Sequence, residues 1–135
     1  IHALEISMQA GTAYSALRTG GKAMRDFDTV KIAIDMPRAE LFDRINRRVD
    51  RMIAYGFVDE ARTVYPMREL NSLNTVGYKE LFAYFDGVWD LDTAVARIKK
   101  NTRVYAKKQL TWLRRDPSVV WIKSPATADD VISVL

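Results

Sequence analysis

A mainly helical chain with two short strands is the fold the sequence predicts, and three observations carry it. Apolar residues recur at helical spacing after Pro37, at Leu41, Ile45, Val49 and Met52. The longest candidate helix starts at Asp90 or Asp92, either of which suits an N-cap, and stops before Pro117. Only two short apolar runs, TVKIAID and VVWI, read as strands.

In chain order, Ala3 to Ala10 reads as a short helix stopped by Gly11. Thr12 to Asp28, with Gly20, Gly21 and small polar residues, reads as a long loop. TVKIAID, Thr29 to Asp35, is nearly continuous in apolar character, the pattern of a strand covered on both faces. Such a strand needs neighbours that this chain scarcely offers. Pro37 suits the first turn of the next helix, and Gly56 ends it. FVDEARTVY makes a second short helix closed near Pro66, and Thr75 to Tyr84 a third that ends at Gly87. The long helix, at about 25 residues, would measure about 37 Å. A strand follows at 119–122, and Thr127 with Asp130 three residues on opens a last helix. Two parts are expected: 1–36, the end of an α/β core, and 37–135, a helical region. The opening IHALEISMQAG reads as the middle of a helix, so the expectation is a fragment with further chain before it.

Composition narrows the chemistry. The chain has 135 residues, 48% hydrophobic and 28% charged, with a net charge of +4. That balance permits an anionic partner without demanding one. With no cysteine, disulfides, thiol nucleophiles and cysteine-held metals are excluded. His2 is the only histidine, so a Ser–His–Asp site cannot be assembled from these residues. No apolar run reaches the ~18 residues of a membrane span, and nothing reads as a signal peptide. The expected location is cytoplasmic.

On a helical wheel, Ala94, Ile98, Tyr105, Gln109, Trp112 and Leu113 gather on one side of the long helix. Tyr105 and Trp112 are therefore expected as core anchors. Lys100, Arg103, Lys107 and Arg114 form an opposite stripe, with Arg97, Lys108 and Arg115 on a flank. No acid lies between Asp92 and Asp116 to relieve the repulsion. The stripe reads either as a solvated face or as a surface that tracks a phosphate backbone. On the helix after Pro37, Arg44, Arg48 and Arg51 share a stripe suited to bidentate capture of a phosphate or diphosphate. Glu40, Asp43 and Asp50 could instead neutralise it. Gly20 to Ala23, GGKA, lacks the spacing of a phosphate loop.

TVGYKEL, Thr75 to Leu81, followed by RIKKNTRVYAKKQLTWLRRDPSVVWI, Arg97 to Ile122, closely resembles the C-terminal region of bacterial tRNA dimethylallyltransferases. PRAELFDRINRRVDRMIAYGFVDEAR, Pro37 to Arg62, matches the same family in order and spacing, and HALEISMQAG resembles its RALE helix. The resemblance covers nearly the whole chain. It implies the C-terminal fragment of an α/β P-loop-type fold, the parallel sheet largely missing from these residues. It implies an enzyme that moves a dimethylallyl group from dimethylallyl diphosphate to N6 of the adenosine 3′ of the anticodon. The family's phosphate loop and general base lie upstream, so this fragment alone is expected to be inactive.

By the same resemblance, Arg48 holds the diphosphate leaving group, with Arg44 one turn before it as a second contact. The anticodon stem-loop would meet Asn74, Thr75, Val76, Gly77, Tyr78 and Lys79. It would also meet Lys107, Lys108, Gln109, Leu110, Thr111, Trp112, Leu113 and Arg114, with Lys100 and Arg103 as further contacts. Mg²⁺ accompanies the diphosphate in the family, but no ligand for it is identified in this chain. His2 stands where the family usually has arginine, and no role is carried onto it. The rival expectations are a non-catalytic helical RNA-binding module and a domain whose arginine rows pair with an acidic protein.

Overall fold

A computed structural model describes residues 2–17 and 26–134. Helices α1 (His2–Ala10) and α2 (Tyr14–Leu17) precede strand β1 (Lys31–Asp35). Then come α3 (Arg38–Ala54), α4 (Phe57–Val64), α5 (Tyr78–Phe85), α6 (Leu91–Leu113), β2 (Val119–Lys123) and α7 (Ala128–Ile132). Short 3₁₀ turns at Tyr65–Met67 and Asn71–Leu73 link α4 to α5. The stretch Gly20 to Ala23 lies outside the described residues. The expected loop from Thr12 holds the short helix α2, whose entry is fixed by the Tyr14 N–H donating to Ser7 Oγ at 2.9 Å.

The core lies among α3, α4, α5 and α6. Val49, Phe57, Ala61, Leu81, Phe82 and Ile98 form one buried cluster. Gly56, at φ 93°, ends α3 and lets α4 start at the next residue, which turns Phe57 inward. The Asp90 carboxylate caps α6 by accepting the Thr93 N–H at 2.7 Å. Asp90 is held below its ordinary value by its hydrogen bonds with Thr93. At 23 residues, α6 ends at Leu113, slightly sooner than expected. The Asp116 N–H then tightens the last turn onto Leu113 O before Pro117. Helix α5 starts at Tyr78 rather than Thr75, because Gly77 at φ 111° breaks the helical path before it.

Strands β1 and β2 pair in parallel, from Lys31 opposite Val119 to Asp35 opposite Lys123. Helices α3 to α6 form the crossover between them. The ladder runs on as the Ser124 N–H donates to Asp35 O at 2.8 Å. The expectation of a strand covered on both faces is not met by the described residues. Ala33 is buried, but Ile34 is 52% exposed.

A larger correction concerns Tyr105 and Trp112, which are not core anchors: they are 66% and 68% exposed. The N-terminal half of α6 packs through Ala94 and Ile98, which are fully or nearly fully buried. Its C-terminal half instead turns the half-buried Ala106, Leu110 and Leu113 inward. Ala106 and Leu113 each follow one residue after the Ile98–Tyr105–Trp112 line, a rotation of about 100°. The inward face of α6 thus turns along its length.

Candidate anion and nucleic-acid surface

Spacings of four and three residues bring Arg44, Arg48 and Arg51 to one side of α3, as the sequence predicts. They line an open hollow of about 1350 Å³ between α3, β1 and the end of α6. Its apolar wall includes Ile34, Ile45 and Leu113. Two acids of α3 engage other cations. Asp43 holds Arg47 at 2.6 Å, and Asp50 holds Lys99 of α6 at 2.5 Å. Among the described residues, Arg48 and Arg51 have no hydrogen bond or ion pair. Arg44 has only a long Nη1 contact to Met36 Sδ, at 4.0 Å. Glu40, Arg47 and Asp50 also border the hollow. Exposed guanidinium groups beside an apolar wall keep their donors available for an anion's oxygens. Arg51 belongs to this row by its spacing, although the family resemblance gives it no role.

The stretch Asn74 to Lys79 is divided between surface and interior. Asn74, Thr75, Val76 and Lys79 are exposed. Gly77 is buried against Phe57, where a Cβ would lie 2.9 Å from Cζ. Tyr78 is half-buried and donates its hydroxyl proton to Glu60 Oε1 at 2.6 Å. That bond pushes the Tyr78 phenol above its ordinary value. Glu80 closes the stretch from inside: it is 1% exposed and accepts the Gly77 N–H and the Asn101 side-chain amide. Sequence reasoning missed Glu80 and Asn101. The return of a glutamate at the third helical position to the N-cap amide was the available signal.

The expected basic stripe on α6 is largely engaged with the protein itself. Arg103 Nη1 donates to Asn46 Oδ1 at 2.6 Å, which makes it a tie between α6 and α3. Its guanidinium and the Lys107 ammonium both sit near the Phe42 ring, at 5.9 and 5.4 Å from the centroid. Arg114 lies 3.6 Å from the Asp35 carboxylate and over the Trp121 ring. Arg97 covers the Trp89 ring at 4.1 Å. Lys100, Lys108 and Arg115 are exposed without such partners among the described residues. Lys108 and Arg115 line a shallow depression with Val104, Thr111 and Trp112. Gln109, though exposed, lines the hollow together with Leu110 and Leu113. The Thr111 hydroxyl donates to Lys107 O at 2.9 Å. The free basic surface of α6 thus lies around Lys108 and Arg115, beside an exposed tryptophan.

Among the described residues no group of three or more His, Asp or Glu side chains is placed to hold a metal ion. Nor is any helix among them long and apolar enough to cross a membrane.

Fold and surface together define a mainly helical chain with an exposed arginine row on α3 and an exposed basic patch on α6. The chain belongs to the IPP transferase family, whose profile matches residues 1–116. It is 53% identical over all 135 residues to tRNA dimethylallyltransferase 1 of Bacteroides fragilis, covering 44% of that protein. It is 54% identical over 127 residues, 94% of the chain, to tRNA dimethylallyltransferase 2 of Parabacteroides distasonis, covering 42% of that protein. The crystal structure of the full-length tRNA isopentenylpyrophosphate transferase from Bacillus halodurans superimposes with a TM-score of 0.73 at 34% identity. That match covers 96% of this chain and 48% of the other. The tRNA delta(2)-isopentenylpyrophosphate transferase of Staphylococcus epidermidis gives 0.75 at 29% identity, covering 98% of this chain and 44% of the other. The chain therefore spans less than half the length of these relatives.

Proposed function

We propose that this chain is the C-terminal portion of a tRNA-modifying prenyltransferase. The whole enzyme moves a dimethylallyl group from dimethylallyl diphosphate to N6 of the adenosine 3′ of the anticodon. Arg48 neutralises the diphosphate as it departs, with Arg44 as a second contact. The anticodon stem-loop meets the exposed side chains of 74–79 and the outer face of 107–114. The phosphate loop and general base come from the rest of the enzyme. Mg²⁺ enters this reading only as a companion of the diphosphate, and no ligand for it is assigned here. The tRNA substrate makes the cytoplasm the expected compartment.

The observation that carries the reading is the row of Arg44, Arg48 and Arg51 beside the hollow, with Asp43 and Asp50 of the same helix paired to Arg47 and Lys99. As the bond from the allyl carbon to the diphosphate oxygen breaks, negative charge grows on the leaving group. A guanidinium aimed at that oxygen stabilises the charge more in the transition state than in the ground state, and so raises turnover.

The test follows labelled dimethylallyl from its diphosphate to unmodified tRNA, using the full-length enzyme. Arg48→Ala should lower kcat by roughly 10²-fold or more. Arg47→Ala, whose guanidinium also borders the hollow but is already paired with Asp43, should stay within about threefold of the parent. Equal losses would refute the leaving-group role. Transfer by residues 1–135 alone at the full-length rate would refute the fragment reading.

A further inference from the structure

The two stretches read as RNA contacts lie apart in sequence, one at the start of α5 and one on α6, and one buried carboxylate joins them. Glu80 Oε2 accepts the Gly77 N–H at 2.7 Å, and its Oε1 accepts Asn101 Nδ2–H at 2.7 Å. Gly77 belongs to the first stretch, and Asn101 lies on α6 six residues before Lys107. Among the described residues no lysine or arginine pairs with Glu80. A buried carboxylate held by two neutral donors is a poor source of stability. Its neighbours in sequence and space, Leu81 and Ile98, show that this layer is otherwise apolar.

What the carboxylate supplies is direction. Gly77 sits at φ 111° and ψ −67°, and the bond to Glu80 holds its N–H in that orientation. Release of this bond frees the peptide between Val76 and Gly77 to turn, carrying the exposed Thr75 and Val76 with it. The second oxygen ties the same anchor to α6. We infer that Glu80, acting through Gly77 and Asn101, is a positioning residue that holds the loop 74–79 and the outer face of α6 in one register for a single RNA. This inference rests on the tRNA reading above.

The test compares three variants of the full-length enzyme. Glu80→Leu removes both acceptors while filling the space. Asn101→Ala cuts only the tie to α6. Glu80→Gln keeps one acceptor for Gly77 and offers its amide to Asn101 Oδ1 once that amide turns over. Hydrogen exchange of 74–79 is read without RNA, and steady-state kinetics are read with tRNA and dimethylallyl diphosphate varied separately.

Glu80→Leu and Asn101→Ala should each speed exchange in the loop and raise KM for tRNA, by roughly tenfold in Glu80→Leu. The kcat and the KM for the diphosphate should stay within about twofold, and Glu80→Gln should recover most of the loss. A merely structural role would lower thermal stability and kcat while leaving KM for tRNA unmoved, and that result overturns the inference. If Glu80→Leu fails to fold, Asn101→Ala decides: exchange and tRNA KM both at parental values overturn it equally. A parent enzyme that transfers nothing to tRNA would instead refute the prenyltransferase reading. In that case the exchange data separately show whether Glu80 holds the loop to α6.

Discussion

Gly77→Ala is the substitution whose cost the structure defines most directly. At φ 111° and ψ −67°, alanine would occupy a backbone region that L residues rarely adopt. Its Cβ would also meet Phe57, 2.9 Å from Cζ and 3.2 Å from Cε1. Phe57 has little room to give way: it is 9% exposed, and its ring packs on Tyr78 at 5.6 Å between centroids. The backbone term costs ~1–3 kcal/mol. Forcing a methyl group into this packed site costs a further ~1–3 kcal/mol. Together they give ~2–6 kcal/mol, a large part of the ~5–15 kcal/mol that stabilises a typical domain.

Native-state hydrogen exchange of the full-length protein, read at the slow amides of α4 and α5, measures the loss where it occurs. A loss of ~2 kcal/mol corresponds to roughly thirtyfold faster exchange, so at least that much is expected. Phe57→Leu separates the two causes, because it removes the ring that clashes and leaves the backbone strain. In the Gly77→Ala background it should therefore cost ~1–3 kcal/mol less than it does alone. Exchange within about threefold of the parent in Gly77→Ala, or strict additivity in the double variant, would refute the steric account.

Two further predictions concern charge. Lys108→Ala and Arg115→Ala should each lower the salt slope of tRNA binding by about one. Arg103→Ala should leave the slope alone and destabilise the α3–α6 contact by ~1–2 kcal/mol, since its guanidinium is bonded to Asn46. Fluorescence anisotropy across a salt series checks this, and an equally flattened slope in Arg103→Ala would overturn the assignment. Asp116 accepts hydrogen bonds from Lys31 and Ser118, both at 2.6 Å, which hold its carboxyl well below the usual carboxylate range. The folded form thus releases this proton more readily than the unfolded chain does. The resulting stabilisation is present above the unfolded value of ~3.9 and fades as pH falls below it. Asp116→Asn should lower Tm at pH 7, and the gap should close as pH drops from about 5 toward 2. A gap independent of pH would contradict the assignment.

Much of this was legible because it is local. Pro37, Gly56, Asp90 and the Thr127–Asp130 pair each mark a helix boundary through their own backbone chemistry. The Arg44–Arg48–Arg51 row needed only the helical period. Wherever the sequence reading went astray, a partner decided the outcome. The wheel assumed that α6 keeps one inward face, but that face passes from Ala94 and Ile98 in the core to Ala106, Leu110 and Leu113 along the hollow. That exchange exposed Tyr105 and Trp112 and drew Arg103 inward. Glu80 was illegible for a related reason. Its first bond is local, to Gly77, but its second depends on which α6 residue lies across from it.

The change of inward face also bears on how the proposed enzyme keeps its two substrates apart. Ala106 faces the arginine hollow, whereas Lys108 lines the outer depression. Two residues along a helix is a turn of about 200°, so these side chains leave α6 on nearly opposite sides. In the tRNA reading, α6 is therefore a wall, with the diphosphate at its apolar inner side and RNA at its basic outer side. Trp112 supports that division. Buried, it would have served only the core. Exposed beside Lys108 and Arg115, it has the pairing of aromatic face and cations on which a splayed-out base stacks while the backbone is held. The resemblance marked 107–114 as a unit. Within that unit, Leu110 and Leu113 line the arginine hollow and Lys108, Thr111 and Trp112 the outer depression, which the tRNA reading assigns to donor and RNA respectively.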